Sequence, residues 1–280
     1  FVGEGCPVAG DTGRAALAQG AFCGYAALRA GFATRAVHYR KLRRMFVATL
    51  LAAPARADLS RATVESLRDA WSGGEAQWLS PGTAAEFALP NVPVNRWEVW
   101  AGLQGIGVDL VVQPAEGRRK RLLLADMDST MIGQECIDEL ADMAGVGPRV
   151  AAITERAMNG ELDFEGALLE RVGLLRGLPE SVIAEVLASR ITLRPGAREL
   201  VATMKVRGAY TALVSGGFTA FTAAVAGMLG FDEHRANTLL AEDTRLTGDV
   251  ARPILGREAK VAALRDISAR LGIGHDDVIA

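Results

Sequence analysis

The sequence predicts an α/β protein: a doubly wound parallel sheet with an inserted helical cap, preceded by a small α+β domain. Three observations carry this. From residue 121 onward, short apolar runs alternate with single helix-length segments, the pattern of parallel strands joined by crossover helices. After the first of those strands, successive helical patterns follow one another without a strand, too many for one crossover, so a cap over about 134–195 is expected. Residues 45–115 instead mix strands and helices at short intervals, as a small two-layer sandwich does.

The elements follow in order. "MFVATLLAA" gives a strand over 46–53, then a helix over about 60–72 and a short strand over 76–80. Pro81, Pro90 and Pro93 mark a proline-rich loop, followed by a helix over 94–104 and the strand "GVDLVVQP". "EGRRKR" (116–121) reads as a solvated linker, with a basic ligand patch as the alternative. The second region opens with the strand "RLLLA" and continues with helices over 134–145, 148–158, 163–177 and 179–189. A helix over 196–207, the strand "AYTALVS" (209–215), a helix from Phe218, a hairpin-like segment over 237–250 and a helix over 257–271 complete it. "HDDVIA" reads as the start of a buried strand whose carboxyl end is expected beyond Ala280, so the C-terminal end of the sheet is missing from this reading.

Bulk composition narrows the function classes. The 280 residues suffice for one large domain or two modest ones. A net charge of −2 gives no support for nucleic-acid binding. No apolar run approaches the roughly 20 residues of a membrane span. Cys6, Cys23 and Cys136 form neither a metal spacing nor a disulfide framework, which favours a reducing, cytoplasmic setting. Residues 1–44 carry seven Arg and Lys against Glu4 and Asp11 and sustain no period, so they read as an extension upstream of a natural start at Met45. The stretch from Tyr39 to Ser60 imitates a secretory signal, but its apolar core reads equally as a first strand.

The chemistry-bearing residues lie at strand ends, where open α/β sheets bind ligands. Asp126 ends the apolar run "RLLLA" and Asp128 follows two residues on. Two carboxylates this close repel, so the pair implies a bound cation, a shared proton, or both. Oxygen ligands without a His or Cys cluster suggest magnesium; helix-capping aspartates are the alternative. "LVSGGF" ends the next strand, and Ser215 with Gly216 is expected to open a helix whose N–H groups receive an anion. Lys260, early in the last helix, offers charge balance, unless it is simply solvated. On the helix over 163–177, Arg171 falls at the edge of the stripe Phe164, Leu168, Val172 and Leu175, where a charge needs a partner. Glu135 points away from the apolar face of its helix and reads as a solvated first-turn acid. Met158, Phe164 and Cys136 read as core.

Together "DMDSTMIGQE", "ERVGLLRG", "VSGGF", "LTGDV" and the Lys260 helix, in that order, resemble the phosphoserine phosphatases of the haloacid-dehalogenase-like superfamily over about 121–280. Residues 45–115 resemble, more loosely, the regulatory ACT-like domains of some members. The resemblance implies a Rossmann-like sheet and a magnesium-dependent hydrolysis of O-phosphoserine in serine biosynthesis. It makes Asp126 the nucleophile and Asp128 the general acid and base, with the metal on Asp126 and on the Asp128 carbonyl. It gives Ser215 and Gly216 the phosphoryl oxygens, Lys260 the charge compensation, Arg171 the substrate carboxylate and Glu135 the substrate ammonium, and it matches Met158 and Phe164, core by spacing, to positions that shape the family's pocket. The family's G-D-G-x-N-D loop, which carries a further metal carboxylate, is expected beyond Ala280, so weak activity is expected without it. The partners implied are the small-molecule substrate and, as an open alternative, a second copy in a homodimer. Two rival readings stay open: a related phosphatase or phosphotransferase acting on another small phosphometabolite, and a non-catalytic amino-acid sensor.

Overall fold

A computed structural model of the protein describes residues 45–280; the extension expected over 1–44 lies outside the described residues. The first unit runs β1 (Phe46–Ala52), α1 (Arg61–Ala70), β2 (Gln77–Ser80), β3 (Ala84–Leu89), α2 (Arg96–Gln104) and β4 (Val108–Pro114). Its sheet is antiparallel in the order β2-β3-β1-β4. Alternation along β1 turns Ala48, Leu50 and Ala52 into a core with Val64 and Leu67 of α1 and Phe87 and Leu89 of β3. The apolar core of the stretch that imitates a secretory signal, Phe46–Ala52, forms a strand paired on both edges. Ser60 starts α1 by accepting the Thr63 N–H at 3.0 Å.

β3 corrects the expected proline-rich loop. Its buried positions 85, 87 and 89 alternate cleanly, but the residues are mostly Ala and Glu, and Pro81 and Pro90 flank the strand from outside. Weak β-formers between prolines hid the period.

The second unit carries a parallel sheet ordered β10-β5-β6-β7. β5 is Leu122–Ala125, and four helices follow: α3 (Cys136–Met143), α4 (Gly147–Met158), α5 (Phe164–Gly173) and α6 (Ser181–Ser189). The chain enters and leaves this helical insert through a short paired stalk. There Ile132 bridges Leu193, and Gly133 N–H donates to the Thr192 carbonyl at 2.9 Å. Then come α7 (Ala197–Val206), β6 (Tyr210–Phe218), α8 (Thr219–Leu229), β7 (Glu233–Asn237), the hairpin β8 (Leu239–Glu242) and β9 (Arg245–Val250), α9 (Arg257–Leu271) and β10 (Val278–Ile279). β7 was not expected. Its sequence is charged because it is an edge strand, with Glu233 and Arg235 engaged by Arg270 and Asp266.

The two faces of β5 separate by parity. Leu122 and Leu124 pack with Ala263 and Ile267 of α9, whereas Leu123 and Ala125 join Phe221 and Val225 of α8 and the apolar faces of the insert. β5 has β10 on one side and β6 on the other, so the chain order reverses beside it. That switch point opens a crevice at its carboxyl end.

Candidate active site

Asp126 follows β5 directly and continues the parity of Leu122 and Leu124, which aims it toward the α9 side. Lys260, in the first turns of α9, meets it there: the Lys260 ammonium donates to Asp126 Oδ2. The other oxygen, Oδ1, accepts the Met127 N–H at 2.9 Å. The chain then folds back on itself, with the Met127 carbonyl accepting N–H groups from Met131 at 2.9 Å and Ile132 at 3.1 Å, and Ser129 at φ 53°.

Asp128 sits in this turn, half-buried. Its Oδ1 is buried without a hydrogen-bond partner among the described residues. Burial pushes its pKa up to about 6; the carboxylates of Glu135 and Asp126 add to the rise, and the neighbouring Cys136 opposes it. A carboxyl so placed holds or releases a proton near neutral pH. Cys136 itself is buried and free, and burial pushes its thiol far up, which fits packing rather than nucleophilic chemistry.

Glu135 departs from the helical-wheel expectation. Helix α3 begins one residue later, so Glu135 is its extended N-cap residue, with φ −100° and ψ 113°. Wheel geometry does not apply to it, and its side chain faces the crevice, accepting the Ser129 hydroxyl at 2.6 Å. Arg171 is half-buried on α5. Its Nε donates to the Ala167 carbonyl at 3.1 Å and its Nη1 to the Thr154 hydroxyl at 3.4 Å. Burial lowers its pKa, offset by the charges of Asp138 and Glu135. Among the described residues its guanidinium forms no ion pair, and its hydrogen bonds go to Ala167 and Thr154 alone.

"SGGF" is the second correction. Ser215 to Phe218 belong to β6, whose register against β7 shifts between Val214 and Phe218, and α8 starts only at Thr219. The expected helix-start anion site is instead a bulged strand end. Gly217 N–H donates to Ser215 Oγ at 2.9 Å. Glycine leaves room here for the acid: a Cβ on Gly217 would lie 2.9 Å from Asp128 Oδ2.

Met158 and Phe164 are the third correction. Met158 is 84% exposed on the outside of α4, and Phe164 is partly exposed at the first residue of α5. Spacing placed both in a core, but position at a helix end governs. The Phe164 ring lies over Gly216 and Gly256, where a Cβ would approach it to 3.1 and 3.0 Å.

Asp126, Asp128, Glu135, Arg171, Ser215, Gly216 and Lys260 line a single cavity of about 200 Å³, walled by Phe164, Leu168 and Phe218. A larger cleft of about 450 Å³ lies at Arg118 and Lys120, away from the carboxyl ends of the parallel strands and lined by none of these seven residues. Asn237 was not singled out by sequence. It belongs to no readable motif, and its place beside Gly216, whose carbonyl it meets, depends on β7, which charge disguised.

Residues 123–280 match the haloacid dehalogenase-like hydrolase family. The chain belongs to that family. A phosphoserine phosphatase of Archaeoglobus fulgidus is 46% identical over 177 residues, 62% of this chain and 51% of that protein. The chain thus spans about half the length of curated relatives of this kind. A haloacid dehalogenase-family hydrolase from Salmonella enterica serovar Typhi superposes with a TM-score of 0.73 at 28% identity, covering 85% of this chain and 82% of that one. A phosphoserine phosphatase solved as a phospho-aspartyl intermediate analogue superposes with a TM-score of 0.53 at 41% identity, covering 57% of this chain and 77% of that one. The cavity sits at the carboxyl end of β5, at the switch point where open α/β sheets receive their ligands.

Proposed function

We propose that the protein hydrolyses O-phosphoserine to serine and phosphate through a phosphoryl group carried on Asp126. The observation that carries this reading is one cavity lined by a lysine-paired carboxylate, a half-buried second carboxyl and an arginine that pairs with no carboxylate among the described residues. The reading takes 121–280 as the catalytic domain with its cap over about 134–195, and 45–115 as a small ACT-like domain.

In the first step Asp126 attacks phosphorus as the bond to the serine oxygen breaks, and Asp128 gives its proton to that oxygen. In the second step water attacks phosphorus, Asp128 takes the water's proton, and the bond to Asp126 breaks. Ser215 and the Gly216 N–H hold phosphoryl oxygens, and Lys260 balances their charge. Arg171 takes the substrate carboxylate by two parallel hydrogen bonds, and Glu135 takes the ammonium.

The residues fit magnesium. The anionic groups that line the cavity offer oxygens alone, and Asp128 Oδ1 is buried and unpartnered among the described residues. Magnesium commonly uses one or two carboxylates and completes its shell with water and substrate phosphate. The Asp126 carboxylate and the Asp128 carbonyl would hold it, and it would supply neutralisation of phosphoryl charge.

The test is phosphate release from O-phosphoserine by the full-length protein, with and without magnesium. Turnover is expected only with the metal and is expected to vanish in Asp126→Asn. O-phosphoethanolamine, which lacks the carboxylate, is expected to be a poor substrate. Equal turnover of the two compounds would favour the reading as a phosphatase of other small phosphometabolites, and turnover retained in Asp126→Asn would remove the nucleophile.

A further inference from the structure

We infer that Asn237 is a positioning residue that orients the Ser215 hydroxyl toward the phosphoryl group; the inference rests on the phosphatase reading above. Asn237 ends β7 and is only 2% exposed. A buried carboxamide must have its hydrogen bonds met, and this one is engaged at both ends. Its Nδ2 donates to the Gly216 carbonyl at 2.9 Å and to the Leu255 carbonyl at 3.1 Å, while its Oδ1 accepts the Leu255 N–H at 2.7 Å. The Leu255 N–H can only donate, which fixes the amide orientation.

The consequence travels through one peptide unit. The Gly216 carbonyl and the Gly217 N–H belong to the same planar trans peptide and point in opposite directions. Holding the carbonyl at Asn237 therefore sends the Gly217 N–H the other way, where it meets Ser215 Oγ at 2.9 Å. With that lone pair occupied, the Ser215 hydroxyl proton is free to be donated into the cavity that Ser215 lines. Flanking glycines make such a fixed point necessary, because Gly216 and Gly217 have no side chains to hold the plane themselves. The same carboxamide grips Leu255, which immediately precedes Gly256, the N-cap of α9 and so the root of Lys260. Asn237 thus ties the Ser215 edge to the helix that carries the cation.

A double-mutant cycle with Ser215 tests this, since a residue acting through Ser215 loses its effect when Ser215 is gone, whereas a merely structural brace does not. Orthophosphate is titrated calorimetrically into the magnesium-loaded protein, beside kcat/KM for O-phosphoserine. Asn237→Ala and Asn237→Asp are each expected to weaken orthophosphate binding about tenfold in the wild-type background, and by less than about twofold in Ser215→Ala. Asn237→Asp keeps the volume and the Leu255 acceptor but removes both donations, so it decides the matter if Asn237→Ala unfolds. Equal losses in the two backgrounds, or unchanged binding in a folded variant, overturn the inference. Wild-type protein that binds orthophosphate without hydrolysing O-phosphoserine overturns the phosphatase reading alone, and the cycle then judges Asn237 by binding. Wild-type protein that binds no orthophosphate overturns both.

Discussion

Asp128 is held partly out of water with one oxygen unpartnered among the described residues, and its raised pKa has a consequence for stability as well as for the proposed proton transfer. The folded state keeps this proton up to about pH 6, while the unfolded chain releases it near 3.8. Between those values the folded state binds more protons, so the group's contribution is fully present below pH 3.8 and is lost as pH rises through 6. Above pH 6 the protein bears the full cost of burying a charged carboxylate. Asp128→Asn removes that cost. In EDTA at pH 8 the variant is expected to be more stable by up to about 3 kcal/mol, with the advantage gone at pH 3.5, as read from urea melts at both pH values. A variant that is less stable at pH 8 would contradict the burial argument.

Among the elements, the β8–β9 hairpin has a task that its position suggests. Its turn residues Asp243 and Thr244 both have positive φ, at 48° and 61°, as a two-residue hairpin turn of matching twist requires. The hairpin pairs with the end of the α5 segment: Gly177 N–H donates to the Leu246 carbonyl and Leu246 N–H to the Leu178 carbonyl, both at 2.8 Å. Glu180 N–H also donates to the Thr244 carbonyl at 2.8 Å. The helical insert is thereby fastened at a second place besides its stalk. Gly248 makes this contact possible. Its φ is 76°, and a Cβ there would lie 2.9 Å from Arg176 Cβ. Gly248→Ala is expected to cost about 1–3 kcal/mol and to speed amide hydrogen exchange at Gly177 and Leu246. Unchanged exchange at those two amides would show that the insert is held by its stalk alone.

At the scale of the whole molecule, the N-terminal sheet and the parallel sheet have separate cores with no buried residue in common. The links across the linker are polar: Arg118 pairs with Glu86, Lys120 donates to the Asp276 carbonyl at 2.7 Å, and Arg121 N–H donates to the Asp277 carbonyl at 2.7 Å. Such links transmit little of a packing defect. Leu50→Ala, at a fully buried position of the first core, is expected to destabilise that sheet by about 2–5 kcal/mol. Calorimetry should then show an earlier separate transition, while phosphate release from O-phosphoserine at 25 °C stays within about twofold of wild type. A single lowered transition with loss of turnover would mean that the two sheets unfold as one. No helix among the described residues is long and apolar enough to cross a membrane.

The sequence by itself determined the parallel sheet, the helical insert and the end of β5 as the place for paired acids, because hydrophobic period and abrupt charge at a strand end are local signals. Helix α9 was legible over 257–271 for the same reason. It did not reveal β3, whose alternation lay among alanines between prolines, or β7, whose edge position called for charge. Only the tertiary structure decided that Glu135 faces the crevice, that "SGGF" stays in the strand, that Phe164 covers the glycines, and that Asn237 joins two segments distant in sequence. Each of those depends on where a neighbouring element lies, and no residue pattern within one element records the position of another.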